Sequence, residues 1–156
     1  MKSYRDILDD LSRAELPFAV IGSRAIEHFY PKWTAIHPPA DCDIVMPFEA
    51  ALLTRACDIV SKQGWLVELW GEPVQLPLSA EQLAGKYYLR ARRGGAVLDI
   101  NFETPLRWET WQSGLWWKDG VPYAARGHLV AAKRFSDRDK DQAFIHWLRQ
   151  SAWEKR

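Results

Sequence analysis

Cysteine is scarce in this chain, with Cys42 and Cys57 the only two in 156 residues. They have neither zinc-ligand spacing nor the density of a disulfide framework. Cys42 also falls in the apolar rhythm of a strand, so both are expected to be reduced core residues. Charge of one sign is lacking too. The 21 Lys and Arg stand against 20 Asp and Glu, a net of +1, so nothing draws nucleic acid to the molecule as a whole and any such site must be a local patch. No apolar run approaches membrane-spanning length, and the opening MKSYRDILDDL has no signal-peptide core. The expectations are no membrane contact, a cytoplasmic location and one domain over 1–156, long enough to bury a real core.

The informative stretch runs from Ala19 to Met46. A short apolar strand (18–21) meets the pair Gly22-Ser23, a short helix follows from Arg24, and a proline-bearing segment leads to a second strand carrying Asp41 and Asp43. Side chains two apart in a strand share a face, with Cα atoms roughly 6.5–7 Å apart. Asp41 and Asp43 therefore project together, while Cys42, Ile44 and Met46 take the apolar face. The segment 97–102 repeats the pattern, with Leu98, Ile100 and Phe102 on one side and Asp99 on the other. If the two strands pair with their apolar faces aligned, three carboxylates converge. Such an arrangement needs a compensating cation, and oxygen-only ligands suit a hard ion such as Mg²⁺. A helix opening at Ser23 would aim free N–H groups and its positive end at an anion.

Elsewhere, Tyr4, Ile7, Leu8 and Leu11 make the stripe of a first helix. Glu49 to Gln63 reads as an amphipathic helix closed by Gly64. Residues 65–70 read as a strand, and 86–93 and the segment with Asp99 form a hairpin about Gly94-Gly95. Arg90, Arg92 and Arg93 on that hairpin either bind phosphates or an acidic acceptor, or are solvated edge charges. Residues 32–40, with Lys32, Trp33 and His37, read as a mobile loop that either covers the site or merely connects. After Phe102 the pattern turns helical from Thr104-Pro105, with a tight turn at Asp119-Gly120 and a helical pair over 127–135 and 137–148. Among nine tryptophans, Trp108, Trp111, Trp116 and Trp117 cluster. Core packing and base stacking are both open to them.

Gly22-Ser23, Asp41-Cys42-Asp43 and Asp99 together resemble the signature of the nucleotidyltransferase superfamily with the DNA polymerase β-like palm. The run HLVAAKRFSDRDKDQAFIHWL is similar to the helical segment that follows the palm in small bacterial and phage members, including toxin-like ones, through Lys133, Arg138, Lys140 and Asp141. The resemblance covers about Leu16 to Leu148. One departure is the long segment 24–40 between Ser23 and Asp41, which bears on the subfamily and so on the acceptor.

The resemblance implies an α+β fold, with a mixed or antiparallel palm of about five strands (1–103), helices on one face and a helical C-terminal part (104–156). It implies transfer of a nucleoside monophosphate from an NTP to a hydroxyl acceptor, either RNA or tRNA or a protein. Two Mg²⁺ ions, replaceable by Mn²⁺, would be held by Asp41, Asp43 and Asp99. Gly22, Ser23, Arg24, Lys133 and Lys140 would bind the nucleotide, although Lys133 reads equally as a surface lysine. The rival reading is a catalytically silent protein of the same fold with a binding or regulatory role, in a toxin–antitoxin or phage setting.

Overall fold

The computed structural model of the chain describes residues 2–150; Met1 and 151–156, the ends of the expected domain and of its C-terminal part, lie outside the described residues. The first helix, α1 (Lys2–Arg13), buries the stripe Tyr4, Ile7, Leu8 and Leu11. Then come β1 (Ala19–Ile21), α2 (Gly22–Phe29), α3 (Pro31–Ile36) and β2 (Cys42–Val45), followed by α4 (Ala50–Lys62) and β3 (Leu66–Leu69). The chain continues through β4 (Glu72–Pro73), α5 (Ala80–Leu83), β5 (Tyr88–Arg93), β6 (Ala96–Asn101) and α6 (Trp108–Trp111). It ends in β7 (Trp116–Lys118), β8 (Val121–Tyr123), α7 (Arg126–Arg134) and α8 (Asp139–Gln150).

The strands join in one mixed sheet in the order β4-β3-β5-β6-β2-β1-β8-β7. The fold class is α+β, with eight strands among the described residues where about five were expected. Its apolar face is set by register. Cys42 lies opposite Leu98, Ile44 opposite Ile100, Leu89 opposite Ile100 and Ala91 opposite Leu98, all buried under α1 and α4. Burying such side chains contributes about 1.5–3 kcal/mol each and is the main force fixing this register. The thiols of Cys42 and Cys57 lie in that core, where burial pushes both up to about 12. They are free and protonated.

Three sequence expectations are corrected. Helices cover more than one face, because α7 and α8 lie over the side of the sheet that carries Asp43 and Asn101. The segment after Phe102 is not a continuous helix. It holds only the one-turn α6 and then the β7–β8 hairpin, whose two-residue turn Asp119-Gly120 has both φ values positive (52° and 80°), as a tight hairpin turn requires. β8 then runs parallel to β1, so β7 and β8 extend the sheet instead of belonging to a helical part. The tryptophans divide accordingly, Trp111 being buried and Trp117 exposed on the edge strand.

The third correction concerns 32–40. Pro31 stands at the first position of α3, where its missing N–H leaves no bond unmade. That helix buries Trp33, whose ring centroid lies 5.4 Å from those of Phe144 and Trp147 and stacks at 4.1 Å on His37. The segment thereby pins α8 to the body of the protein. Trp33→Ala is expected to destabilise the fold by about 3–5 kcal/mol, measured by denaturant unfolding.

Candidate active site

β1 pairs antiparallel with β2, setting Ile21 opposite Asp43. The next residue, Gly22, has φ +68°, and a Cβ there would lie 2.8 Å from Oδ2 and 3.3 Å from Cβ of Asp43. Glycine is needed for both the backbone angle and the approach. This contact brings the N-terminus of α2, with its outward N–H groups and positive dipole end, beside the Asp43 carboxylate. Ser23 is the second residue of that helix, and Lys140 Nζ reaches its Oγ at 3.3 Å.

On the other side of β2, β6 runs parallel and in register, with Asp43 directly opposite Asp99. Both point away from the apolar face. Asp43 is raised from the ordinary 3.8 to about 6, first by burial and then by the Asp99 anion, with Lys133 pulling partly the other way. Asp99 is only 9% exposed and does not stand free. Its cross-strand neighbour Arg90 donates from Nε to Oδ1 at 2.8 Å and from Nη2 to Oδ2 at 3.0 Å. Those bonds hold the guanidinium firmly protonated, against the opposing effect of burial.

Lys133 sits inside a second charge cluster. Its Nζ donates to Asp141 Oδ1 at 2.7 Å, Ser136 Oγ donates to Oδ2 at 2.6 Å, and Arg138 Nε lies 3.6 Å from Oδ2. Burial works to raise Asp141, but the bonds from Lys133 and Ser136 outweigh it and hold the carboxyl below its usual range. Between this cluster and the sheet lies a cleft of about 170 Å³, lined by Gly22, Asp43, Asn101, Trp111, Lys133 and Arg138 among others.

The structure thus brings Gly22, Asp43 and Lys133 to one cleft, with Ser23 and Lys140 at α2 and Asp99 beside Asp43. Arg24, expected at the nucleotide, is engaged elsewhere. It donates from Nε to the Asp41 carbonyl at 3.1 Å and from Nη2 to the Ala40 carbonyl at 3.0 Å, and its guanidinium lies 4.6 Å above the Tyr4 ring. It partners backbone acceptors at the entry to β2. Asp41 is also displaced from expectation, since it precedes β2 and is exposed, although its charge still acts on Asp43. Asn101, Trp111 and the Arg90 clamp were not assigned to the site from the sequence. The i, i+2 alternation from Asp99 pointed to Asn101, and the Gly-Gly hairpin put Arg90 on a neighbouring strand.

As a metal site the acidic set is not closed. Among the described residues, no three His, Cys, Asp or Glu side chains are grouped tightly enough to hold an ion, because Asp99 is taken by Arg90 and Asp41 stands outside the strand. The residues nevertheless fit a hard divalent cation at Asp43. The donors are carboxylate oxygens, burial and the Asp99 anion both disfavour the charged form of Asp43, which a bound cation would offset, and the missing Cβ at Gly22 leaves an opening beside Asp43 Oδ2.

The fold that carries this glycine turn and the two aspartates is found in solved structures of low sequence identity. Two Helicobacter pylori structures share it. JHP933 is 15% identical, with TM-score 0.52, over 99% of this chain and 66% of its own. A protein provisionally described as a nucleotidyltransferase is 14% identical, with TM-score 0.52, over 99% and 68%. ANT(2'')-Ia, solved with adenylyl-2''-tobramycin, matches at 19% identity and TM-score 0.45 over 80% of this chain and 55% of its own. The chain spans between 55% and 68% of the length of these structures. No family model and no curated protein matches the sequence.

Two measurements follow from this geometry. Gly22→Ala is expected to destabilise the protein by about 1–2 kcal/mol through the left-handed backbone alone and to push Asp43 aside, seen as lower Tm and loss of ligand binding at the cleft. Because the folded pKa of Asp43 lies above its unfolded value, its contribution to stability is full below about pH 4 and lost as pH rises through about 6. Asp43→Asn should therefore be more stable than the unmutated, metal-free protein at pH 7, by about 1–3 kcal/mol. That advantage should vanish below pH 4, as followed by thermal unfolding across pH.

Proposed function

We propose that this protein is a metal-dependent nucleotidyltransferase that moves a nucleoside monophosphate from an NTP to a hydroxyl acceptor and releases pyrophosphate. The observation that carries the reading is the register of Asp43 and Asp99, side by side on the polar face of the sheet, with Asp43 against Gly22. In this reading Asp43 would hold Mg²⁺, or Mn²⁺ in its place, with Asp41 turning in from the exposed entry to β2 and Asp99 completing the site on the acceptor side. Bound there, the ions supply charge neutralisation at the phosphates and lower the pKa of the acceptor hydroxyl. The backbone N–H groups at Gly22 and Ser23, with Lys140 beside them and Lys133 deeper in the cleft, orient the triphosphate, which is most of what phosphoryl transfer asks of a protein. Asp99 accepts the acceptor's proton once free of its partner.

One observation favours the silent alternative, a nucleotide-binding or regulatory protein of the same fold. Both Asp99 oxygens are already bonded to Arg90. The deciding experiment supplies each α-labelled NTP with Mg²⁺ or Mn²⁺, together with total RNA and cell lysate. Label is expected to move into one class of acceptor, RNA, protein or small molecule, and Asp43→Asn or Asp99→Asn should reduce transfer to background. Nucleotide binding without transfer to any acceptor would establish the silent reading, and full transfer by the doubly substituted protein would remove the site altogether.

A further inference from the structure

Asp99 and Arg90 are unequally placed. The aspartate side chain is 13% exposed and the arginine side chain 34%, so the carboxylate cannot turn to water, whereas the guanidinium sits at the rim. The strand around Arg90 is partly open to solvent. Tyr88, two residues back on the same face, has its ring centroid 5.2 Å from the guanidinium carbon. Arg92, two residues on, is exposed, and its cross-strand partner Leu66 is 53% exposed. This part of the sheet is uncovered, unlike the part under α7 and α8.

We propose that Arg90 is the exchangeable counter-ion of Asp99: it holds the third carboxylate in place in the metal-free protein and leaves it for the open sheet face when a divalent cation binds one of its oxygens. The inference rests on the nucleotidyltransferase reading and adds to it a positioning residue on β5. Its physical basis is competition between two cations for one carboxylate. Asp43 and Asp99 are adjacent anions in partly buried surroundings, and one compensating cation is required whether or not metal is present. The planar guanidinium meets that need with two parallel bonds and keeps the carboxylate oriented. A divalent ion on Asp99 repels the guanidinium and draws off the charge that holds it, so the two bonds weaken as the ion binds. Arg90 therefore keeps the acidic pair from repelling itself apart before the ion arrives, and its departure adds a positive charge beside Arg92 on the face next to the reacting groups.

The test is Mn²⁺ binding to the full chain, followed by the loss of the free-ion paramagnetic signal, for the unmutated protein, Arg90→Ala, Arg92→Ala and Asp43→Asn. Arg90→Ala should bind Mn²⁺ about tenfold or more tightly, since the competing cation is gone. Arg92→Ala, which removes the same charge without touching Asp99, should leave binding unchanged. Without metal, Arg90→Ala should also melt about 5 °C or more lower, because Asp99 is left unpaired, and Mn²⁺ should restore it. If Asp43→Asn abolishes Mn²⁺ binding while Arg90→Ala leaves it unaltered, Arg90 is a structural residue only and the nucleotidyltransferase reading stands. If no variant binds Mn²⁺, with or without a non-hydrolysable ATP analogue, both fall. Should Arg90→Ala not fold, the unmutated protein decides by NMR. The Arg90 Nε–H resonance, protected by its bond to Asp99, should lose protection when Mg²⁺ and the analogue are added, and retained protection at saturating Mg²⁺ overturns the proposal.

Discussion

Two aspartates on adjacent parallel strands, held in register by the apolar residues on either side of them, set the terms for everything around them. The pairs Cys42–Leu98 and Ile44–Ile100 must meet if the core is to close, and Asp43–Asp99 is caught between them with no freedom to slip. A one-residue shift would bury the carboxylates and expose the core. The hydrophobic effect thus holds two like charges closer together than they would settle by themselves, and burial, with that proximity second, raises Asp43. The surrounding elements can be understood as answers to that imposed charge.

Three answers are built in. A helix begins at Gly22 with its positive end against Asp43, and only a residue without a side chain fits there. Arg90 reaches across from β5 and ties both Asp99 oxygens. Lys133 stands over the cleft from α7, itself braced by Asp141 and Ser136 at the start of the last helix. That brace explains why α8 must be anchored to the body, which Trp33 does through Phe144 and Trp147. Burial in the core, the orientation of Lys133 and the charge at Asp43 are consequently linked through α3, α8 and α7.

The central strands, the Gly-Gly hairpin, α1, α4 and the two last helices were legible in the sequence, because alternation and helical spacing are strong where one face is buried. The edge was not. β7 and β8 are three residues each, one contains Pro122, and neither is long enough to show a period of two, so the tryptophans there read as helical. Residues 32–40 misled for a related reason, since prolines that mark a break also start helices, as Pro31 does. At the site, the placement of Asp43 and Asp99 was legible from strand alternation and Gly22 from its place after a strand, whereas Asp41, expected beside Asp43, stands just outside β2. The partners of Asp99, Lys133 and Arg24 were not, because an ion pair across strands or between helices depends on register and rotamer, which a linear pattern does not carry.

The account reduces to the claim that the acidic pair on β2 and β6 is a cation site facing a triphosphate. Its most direct test is a crystal of the protein soaked with Mn²⁺ and a non-hydrolysable NTP analogue, measured for anomalous scattering. An anomalous peak within bonding distance of the Asp43 carboxylate, with the phosphates lying over the Gly22-Ser23 turn, is the predicted result. Phosphates bound elsewhere, or ordered nucleotide over the turn with no peak at Asp43, would contradict it.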